Sequence, residues 1–281
     1  MSTDIFNIPT LTLDKAVAQK KELHLKEIFT AYPSVAIAYS GGVDSTYLAA
    51  VAHEALGDKC QLILADSPSL PRSELKEAIQ FAQDQGWNLL IIETDEFENE
   101  EYLKNDGKRC YFCRSALFRK MKEYADSHQV QVLAYGAMAD DAFDPTRLGT
   151  LAANEYEIVA PLQETKLGKI EIRHLSQERN LPNHAKAAFA CLSSRFPKGT
   201  RVTLDALAQV EAAEELLKSH GFHQYRARHH EDHSRIEVAP EELTRFDDPD
   251  LYNTITQAIL ALGYTQVLID PHGYRDPNLP Q

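Results

Sequence analysis

One stretch constrains the fold more than any other: "SVAIAYSGGVDSTYLAAVAHEAL". The apolar run "SVAIAYS" ends at a pair of glycines, and helical spacing of apolar residues begins at once in "STYLAAVAHEAL". A buried strand that turns directly into a helix is a βα unit, and the alternation recurs. "QLILAD" predicts a second buried strand. Pro71 and Ser73-Glu74 open a helix through "KEAIQFAQDQ", which Gly86 closes. "NLLIIET" predicts a third strand, followed by an acidic loop, "DEFENEEYLKNDGK". A helix "RSALFRKMKEYADSH" and a fourth strand "VQVLAYG" complete the series. Strands alternating with helices imply an α/β fold with a doubly wound parallel sheet, over residues 1–182.

Beyond "NLPNHAKAAFACLSSRFPKGT" the rhythm changes, and residues 183–281 are expected to form a smaller α+β domain. "TLDALAQVEAAEELLKSHG" predicts a helix with Thr203 as N-cap and Gly221 at its end. "QYRARHH" and "SRIEVA" read as a strand pair, "DLYNTITQAILALG" as a helix and "YTQVLID" as a strand. With "TRVT" as a further strand the order is βαββαβ, the split βαβ pattern.

A chain of 281 residues, 43% hydrophobic and 25% charged, suits one large and one small globular domain. No apolar run approaches the roughly 18 residues of a membrane span, so no membrane association is expected. The start, "MSTDIFNIPTLTLDKA", lacks the basic and apolar blocks of a secretory signal. Four scattered cysteines make no disulfide framework, and the expected location is cytoplasmic. Lys and Arg number 29 against 42 Asp and Glu, a net charge of −13, which is poorly matched to a nucleic acid partner.

The residues Ser40-Gly41-Gly42-Val43-Asp44-Ser45 join strand to helix where an anion is held well. Glycines let backbone amides approach it, Ser45 and Thr46 add hydroxyls, and the helix N-terminus adds its dipole. Asp44 beside phosphates is explained by a magnesium ion. No GK[ST] ending is present, so this is not a Walker loop. It resembles the PP-loop of ATP pyrophosphatases, of the adenine nucleotide alpha hydrolase-like fold. Those enzymes cleave ATP between the α and β phosphates, adenylate a substrate carbonyl oxygen, and let a nitrogen or sulfur nucleophile displace AMP. Asp66, ending the second strand, is either a nucleotide contact at the carboxyl edge of the sheet or a helix-initiating turn residue.

Cys110 and Cys113 form a CxxC in "KRCYFCRS", and Cys191 follows in "ACLSSRFPKGT". Three thiolates can hold three irons of a [4Fe–4S] cube and leave the fourth open. Zinc would need a fourth ligand, and a thioredoxin-like pair should follow a strand rather than an acidic loop. Cys60 precedes a buried strand and reads as core.

"SGGVDST", "RCYFCR", "YGAMADDAFDPTRLG", "PLQETKLGKIEIRHLSQERNLP", "CLSSRFPKGT" and "RARHH", taken in that order, resemble the LarE family over nearly the whole chain. These ATP-dependent sulfur transferases serve nickel-pincer nucleotide cofactor biosynthesis. The resemblance implies adenylation of a carboxylate of pyridinium-3,5-biscarboxylic acid mononucleotide and replacement of an oxygen by sulfur. Some members sacrifice one cysteine; others carry three and are thought to bind a [4Fe–4S] cluster that delivers sulfide. Cys110, Cys113 and Cys191 match the three-cysteine kind, with Cys191 and Asp44 as catalytic residues. The implied ligands are ATP, Mg2+ and the small-molecule mononucleotide, with a sulfide donor as partner and a homo-oligomer as the expected state.

The resemblance also implies that Arg226 and Arg228, alternating along one strand, meet the substrate's phosphate, in line with guanidinium chemistry. Arg195 and Glu214 are placed near the same site. The family's usual "RPG" stands here as Arg147-Leu148-Gly149. Asp140, Asp141 and Asp144 are either metal ligands or turn residues, and the histidines of "RHHEDH" are assigned no metal. Two other functions suit these motifs: a PP-loop tRNA thiolase, and a regulatory iron–sulfur or zinc module that binds AMP without turnover.

Overall fold

The computed structural model describes residues 13–140, 148–187 and 190–275. Asp141, Asp144 and Arg147 lie outside the described residues. Helix α1 (Lys15–Ala31) is started by Asp14, whose carboxylate accepts from the Val17 amide at 3.1 Å. Strand β1 (Val35–Ala38), α2 (Val43–Leu56), β2 (Cys60–Asp66), α3 (Arg72–Asp84) and β3 (Asn88–Glu93) follow. The expected acidic loop contains a 3-10 turn at Glu96–Glu98 and a short α4 (Glu100–Leu103). Then come α5 (Arg109–His128), β4 (Val132–Tyr135), α6 (Gly149–Glu155), α7 (Pro161–Glu164) and α8 (Lys169–Glu178). A 3-10 turn at Leu192–Arg195 precedes α9 (Leu204–Ser219), β5 (Tyr225–His230) and β6 (His233–Val238). A further 3-10 turn at Pro240–Asp247, α10 (Pro249–Leu260) and β7 (Gln266–Ile269) complete the chain. No described helix is long and apolar enough to cross a membrane.

Compactness divides the chain into two units interleaved in sequence. The first comprises Met1–Ala65, Glu77–Ile92 and Phe118–Ala188; the second comprises Asp66–Lys76, Glu93–Leu117 and Phe189–Gln281. In the first, the strand order is β3-β2-β1-β4, with β1 parallel to both its neighbours. The fold class is α/β with a second, smaller sheet. From β1 the chain builds β2 and β3 on one side, then returns to add β4 on the other. The loops after β1 and β4 therefore diverge, and the crevice at those carboxyl ends is the switch point where such sheets bind ligands. Val35, Ala36 and Ile37 of β1 and Tyr47, Leu48 and Val51 of α2 are fully buried. At about 1.5–3 kcal/mol per large buried side chain, this βα unit anchors the loop between its halves firmly. Gly86 closes α3 at φ +66°, with the Trp87 amide bonded to the Ala82 carbonyl at 2.9 Å.

In the second unit, β5 and β6 form an antiparallel hairpin and β6 pairs with β7 in parallel. Ala213 and Leu217 of α9, Ile255 and Ile259 of α10, and Ala227 and Ile236 of the hairpin share its core. The expected strand at "TRVT" is absent: residues 200–203 belong to no strand, Thr200 closing a bend with its amide on the Pro197 carbonyl at 3.0 Å. Val202 is instead buried in a separate cluster with Leu192, Phe196 and Val210, and its amide bonds the Leu103 carbonyl at 2.9 Å. Thr203 must also stop the extended run to cap α9, its Oγ1 accepting from the Ala206 amide at 3.2 Å. Gly221 follows the helix at φ +77°. Thr203→Ala is expected to lower stability by about 1 kcal/mol in urea denaturation; an unchanged midpoint would show that the cap contributes nothing.

Candidate functional site

The loop from Ser40 to Thr46 leaves β1 at the switch point. Gly41 has φ +71°, and a Cβ there would lie 2.6 Å from the Ala78 Cβ, so a side chain has neither the backbone nor the room. Ser45 Oγ accepts from the Ser40 amide at 3.1 Å and donates to the Gly42 carbonyl at 3.2 Å. It thus knits the loop from within. Helix α2 starts at Val43 with Gly42 as N-cap, and among the described residues no side chain caps it. Its first amides have no partner within the helix, and its dipole makes that end favourable to negative charge. Gly136, directly after β4, completes the crevice: a Cβ on it would approach the Ser45 amide to 3.1 Å.

The residues expected to bind phosphates divide by exposure. Ser40 is exposed and Gly42 and Asp44 are half-buried, whereas Ser45 and Thr46 are buried. Thr46 Oγ1 accepts from the Asn183 side-chain amide at 2.9 Å, and the same Nδ2 donates to the Gly41 carbonyl at 3.0 Å. Thr46 therefore braces the loop from beneath. Asp44 receives the Lys169 ammonium at 2.8 Å on both carboxylate oxygens. The Lys169 amide, at the start of α8, donates to Asp140 Oδ2 at 2.9 Å. The ammonium balances the Asp44 charge. Sequence reasoning singled out neither Lys169 nor Asn183. Lys169 lies in a segment that carries the LarE resemblance and Asn183 just past its end, but no spacing marks either.

In the second unit, Cys110 and Cys113 stand in the opening turns of α5, three apart and so on one helical face. Cys110 is exposed; Cys113 and Cys191 are partly buried. Burial pushes the Cys113 thiol well up, with further increments from Glu96, Cys191 and Cys110, while Arg114 acts against them. Cys113 thus lies within electrostatic reach of both other cysteines. The Tyr102 hydroxyl, also raised chiefly by burial and then by Cys113, bonds Ser193 Oγ at 2.8 Å. Among the described residues, no group of three or more Cys, His, Asp or Glu side chains is arranged to hold a metal ion. The donor set thus suits iron in kind but is not assembled as a site. Cys60, in the first unit, is buried and its thiol is pushed up to about 12 by that burial, in keeping with a core residue.

Asp66 is engaged by the Arg72 guanidinium, which also donates to the Ser67 and Leu70 carbonyls at 2.6 and 2.7 Å. This network shapes the turn that opens α3. Arg195, 1% exposed, makes a two-pronged pair with Glu214 at 2.7 and 2.8 Å. Glu214 also accepts from the Ala227 amide at 3.1 Å. Arg195 also donates to the Ala190 and Cys191 carbonyls at 2.6 and 3.0 Å, so the pair fixes both β5 and the chain at Cys191. Arg228 is held by Glu237 at 2.9 Å, a carboxylate shared with Arg235 at 3.0 Å.

Arg226 differs. It donates to the Tyr225 carbonyl at 2.6 Å and lies over the Tyr274 ring at 5.0 Å, but among the described residues no carboxylate pairs with it. Burial, and then Arg195, hold its guanidinium below its ordinary range. Glu214 acts in the opposite sense, and since arginine keeps its proton the group remains a cation.

No family model matches the chain. The chain is similar to an uncharacterized protein of Synechocystis sp., 36% identical over 261 residues, or 93% of this chain and 97% of that protein. It is also similar to the pyridinium-3,5-bisthiocarboxylic acid mononucleotide synthase of Lactiplantibacillus plantarum. Identity there is 32% over 243 residues, covering 86% of this chain and 87% of the synthase. A third similarity, to a subunit of the glutamine-hydrolyzing GMP synthase of Methanocaldococcus jannaschii, is 30% over 159 residues, about half of each chain.

Proposed function

We propose a function from one premise: the chain belongs to the LarE family, that of the pyridinium-3,5-bisthiocarboxylic acid mononucleotide synthase. It is an ATP-dependent sulfurtransferase that turns a carboxylate of pyridinium-3,5-biscarboxylic acid mononucleotide into a thiocarboxylate. A carboxylate oxygen attacks the α-phosphorus of ATP, the bond to the β-phosphate breaks, and pyrophosphate leaves. A sulfur nucleophile then attacks the acyl carbon, the carbon–sulfur bond forms, and AMP departs with the oxygen. The observation that carries this reading is the open N-terminus of α2 behind the loop Ser40–Ser45. Amides at Gly41 and Gly42 and the Ser40 hydroxyl would receive phosphate oxygens, with Ser45 and Thr46 holding the loop in shape. Asp44 would hold Mg2+, which when bound neutralises phosphate charge. The test is pyrophosphate release in the presence of ATP, Mg2+ and the mononucleotide. Release that does not depend on the mononucleotide, or none at all, would remove the reading.

Arg226 supports the assignment of the substrate's phosphate to β5, with Arg228 beside it and the Arg195–Glu214 pair supporting the strand. Arg226→Ala is expected to raise KM for the mononucleotide by roughly 10- to 100-fold, the loss of one charge-assisted contact of about 1.5–3 kcal/mol. Arg228→Ala should raise it less, because Glu237 already balances that charge. KM for ATP should not move. Unchanged KM in both variants would show that the strand is merely solvated.

Sulfur delivery is assigned to Cys191 with Cys110 and Cys113. A [4Fe–4S] cluster on these thiols would supply sulfide on an iron lacking a protein ligand. The thiols are not preassembled for it, and no step above depends on it. A small-molecule sulfide donor, self-association and a cytoplasmic setting belong to the same proposal.

A further inference from the structure

Asn183 lies in the turn after α8, and its side chain is buried beneath the phosphate loop. Its orientation is fixed by chemistry: the Gly41 carbonyl can only accept, so the amide nitrogen must face it, at 3.0 Å. The same nitrogen spans to Thr46 Oγ1 at 2.9 Å, while Oδ1 is buried without a partner among the described residues. What Asn183 supplies is therefore donors to the loop, not satisfaction of its own oxygen. The turn that presents it is itself held. The Lys186 amide donates to the Asn183 carbonyl at 2.9 Å, and Arg173 donates to the His184 and Lys186 carbonyls at 2.9 and 2.7 Å.

The consequence lies in the peptide that Asn183 grips. In a planar trans peptide the carbonyl and the following N–H point in opposite directions. Drawing the Gly41 carbonyl down toward Asn183 turns the Gly42 N–H away from it. That N–H faces Ser40 Oγ, 3.4 Å away on the exposed rim of the loop. Glycine on both sides makes this peptide easy to flip, since neither residue has a Cβ to resist rotation. A flipped peptide would present a carbonyl oxygen to phosphate in place of a donor.

We propose that Asn183 is a positioning residue of the phosphate loop, pinning the Gly41–Gly42 peptide so that the Gly42 N–H faces the bound anion. The proposal rests on the phosphate-binding reading of this loop and adds a residue to it.

The test uses the full chain titrated calorimetrically with magnesium pyrophosphate, alongside hydrogen exchange of the segment spanning residues 40–47. Asn183→Leu keeps the volume and removes both donors; Asn183→Asp keeps the shape and replaces donors by acceptors. Each is expected to weaken pyrophosphate roughly 10- to 100-fold, as for loss of an oriented donor to a charged group. Each should also lose the slowing of exchange that pyrophosphate gives the wild type over residues 40–47. A purely structural residue would lower the melting temperature and leave both readouts unchanged in the folded fraction. Wild-type affinity in both variants overturns the proposal. A wild type that binds no pyrophosphate overturns the phosphate-loop reading as well, so the two failures are told apart. Should either variant fail to fold, Asn183→Ser, too short to reach both acceptors, takes the same titration with the same two outcomes.

Discussion

Replacing Asp44 with alanine is expected to cut magnesium-dependent pyrophosphate release about a thousandfold while the chain stays folded. The size follows from what a divalent cation supplies at a transferring phosphoryl group, several kcal/mol of charge stabilisation. The fold should survive because the Asp44–Lys169 pair is partly exposed, with side chains 24% and 29% accessible. Breaking a pair of that exposure costs about 1 kcal/mol or less. Asp44→Asn should be as inactive as Asp44→Ala, since it keeps the shape and lacks the charge. Circular dichroism and thermal melting check the fold, and a coupled pyrophosphate assay over a magnesium series checks the activity. Turnover at the wild-type rate in either variant would remove the loop from the reaction.

The strand–turn–helix around Ser40–Ser45 was legible because its signals are local. A strand's apolar run, two glycines and a helical period lie within two dozen residues, and each constrains the next. Helix ends were legible for the same reason: Thr203, Gly86 and Gly221 act on amides and carbonyls within a turn of themselves. What holds the loop was not legible. Lys169 is 125 residues from Asp44, and Asn183 is 142 from Gly41, so only the folded sheet brings them together. The absent "TRVT" strand fails for a related reason. β-branched residues suit an extended run, but burying Val202 against Leu192 and Phe196, and capping α9 with Thr203, left none of it to pair.

Charged residues were the hardest to read, since a side chain's partner decides its role. Arg195, Arg226 and Arg228 look equivalent as letters. In the fold, Arg195 pairs with Glu214 and Arg228 with Glu237, and Arg226 alone of the three lacks a carboxylate among the described residues. The acidic loop hid a similar surprise. Glu96 in its 3-10 turn is 1% exposed and accepts from Ser67, although a one-turn element shows no periodicity in sequence.

Removing any one of Cys110, Cys113 or Cys191 is expected to abolish sulfur transfer while adenylation, followed as pyrophosphate release, persists. The loop after β1 and the three thiols belong to different compact units, which is why the two activities are expected to separate. Cys60→Ala should leave sulfur transfer intact, because that thiol is a buried core group of the first unit; its cost should be in stability. The three thiols share one unit, with Cys110 and Cys113 on one face of α5, which is why they are expected to act together. Among the described residues they are nonetheless not arranged as a metal site. If they carry a cluster, the anaerobically purified chain should hold about four irons with matching sulfide, and each single Cys→Ala variant should lose them. If Cys191 alone gives up its sulfur, each chain should turn over once and leave a protein lighter by the mass of hydrogen sulfide. Cys110→Ala and Cys113→Ala would then transfer sulfur at the wild-type level. Intact-mass spectrometry after turnover, run on all four cysteine variants, therefore separates a shared role for the three thiols from a sacrificial one.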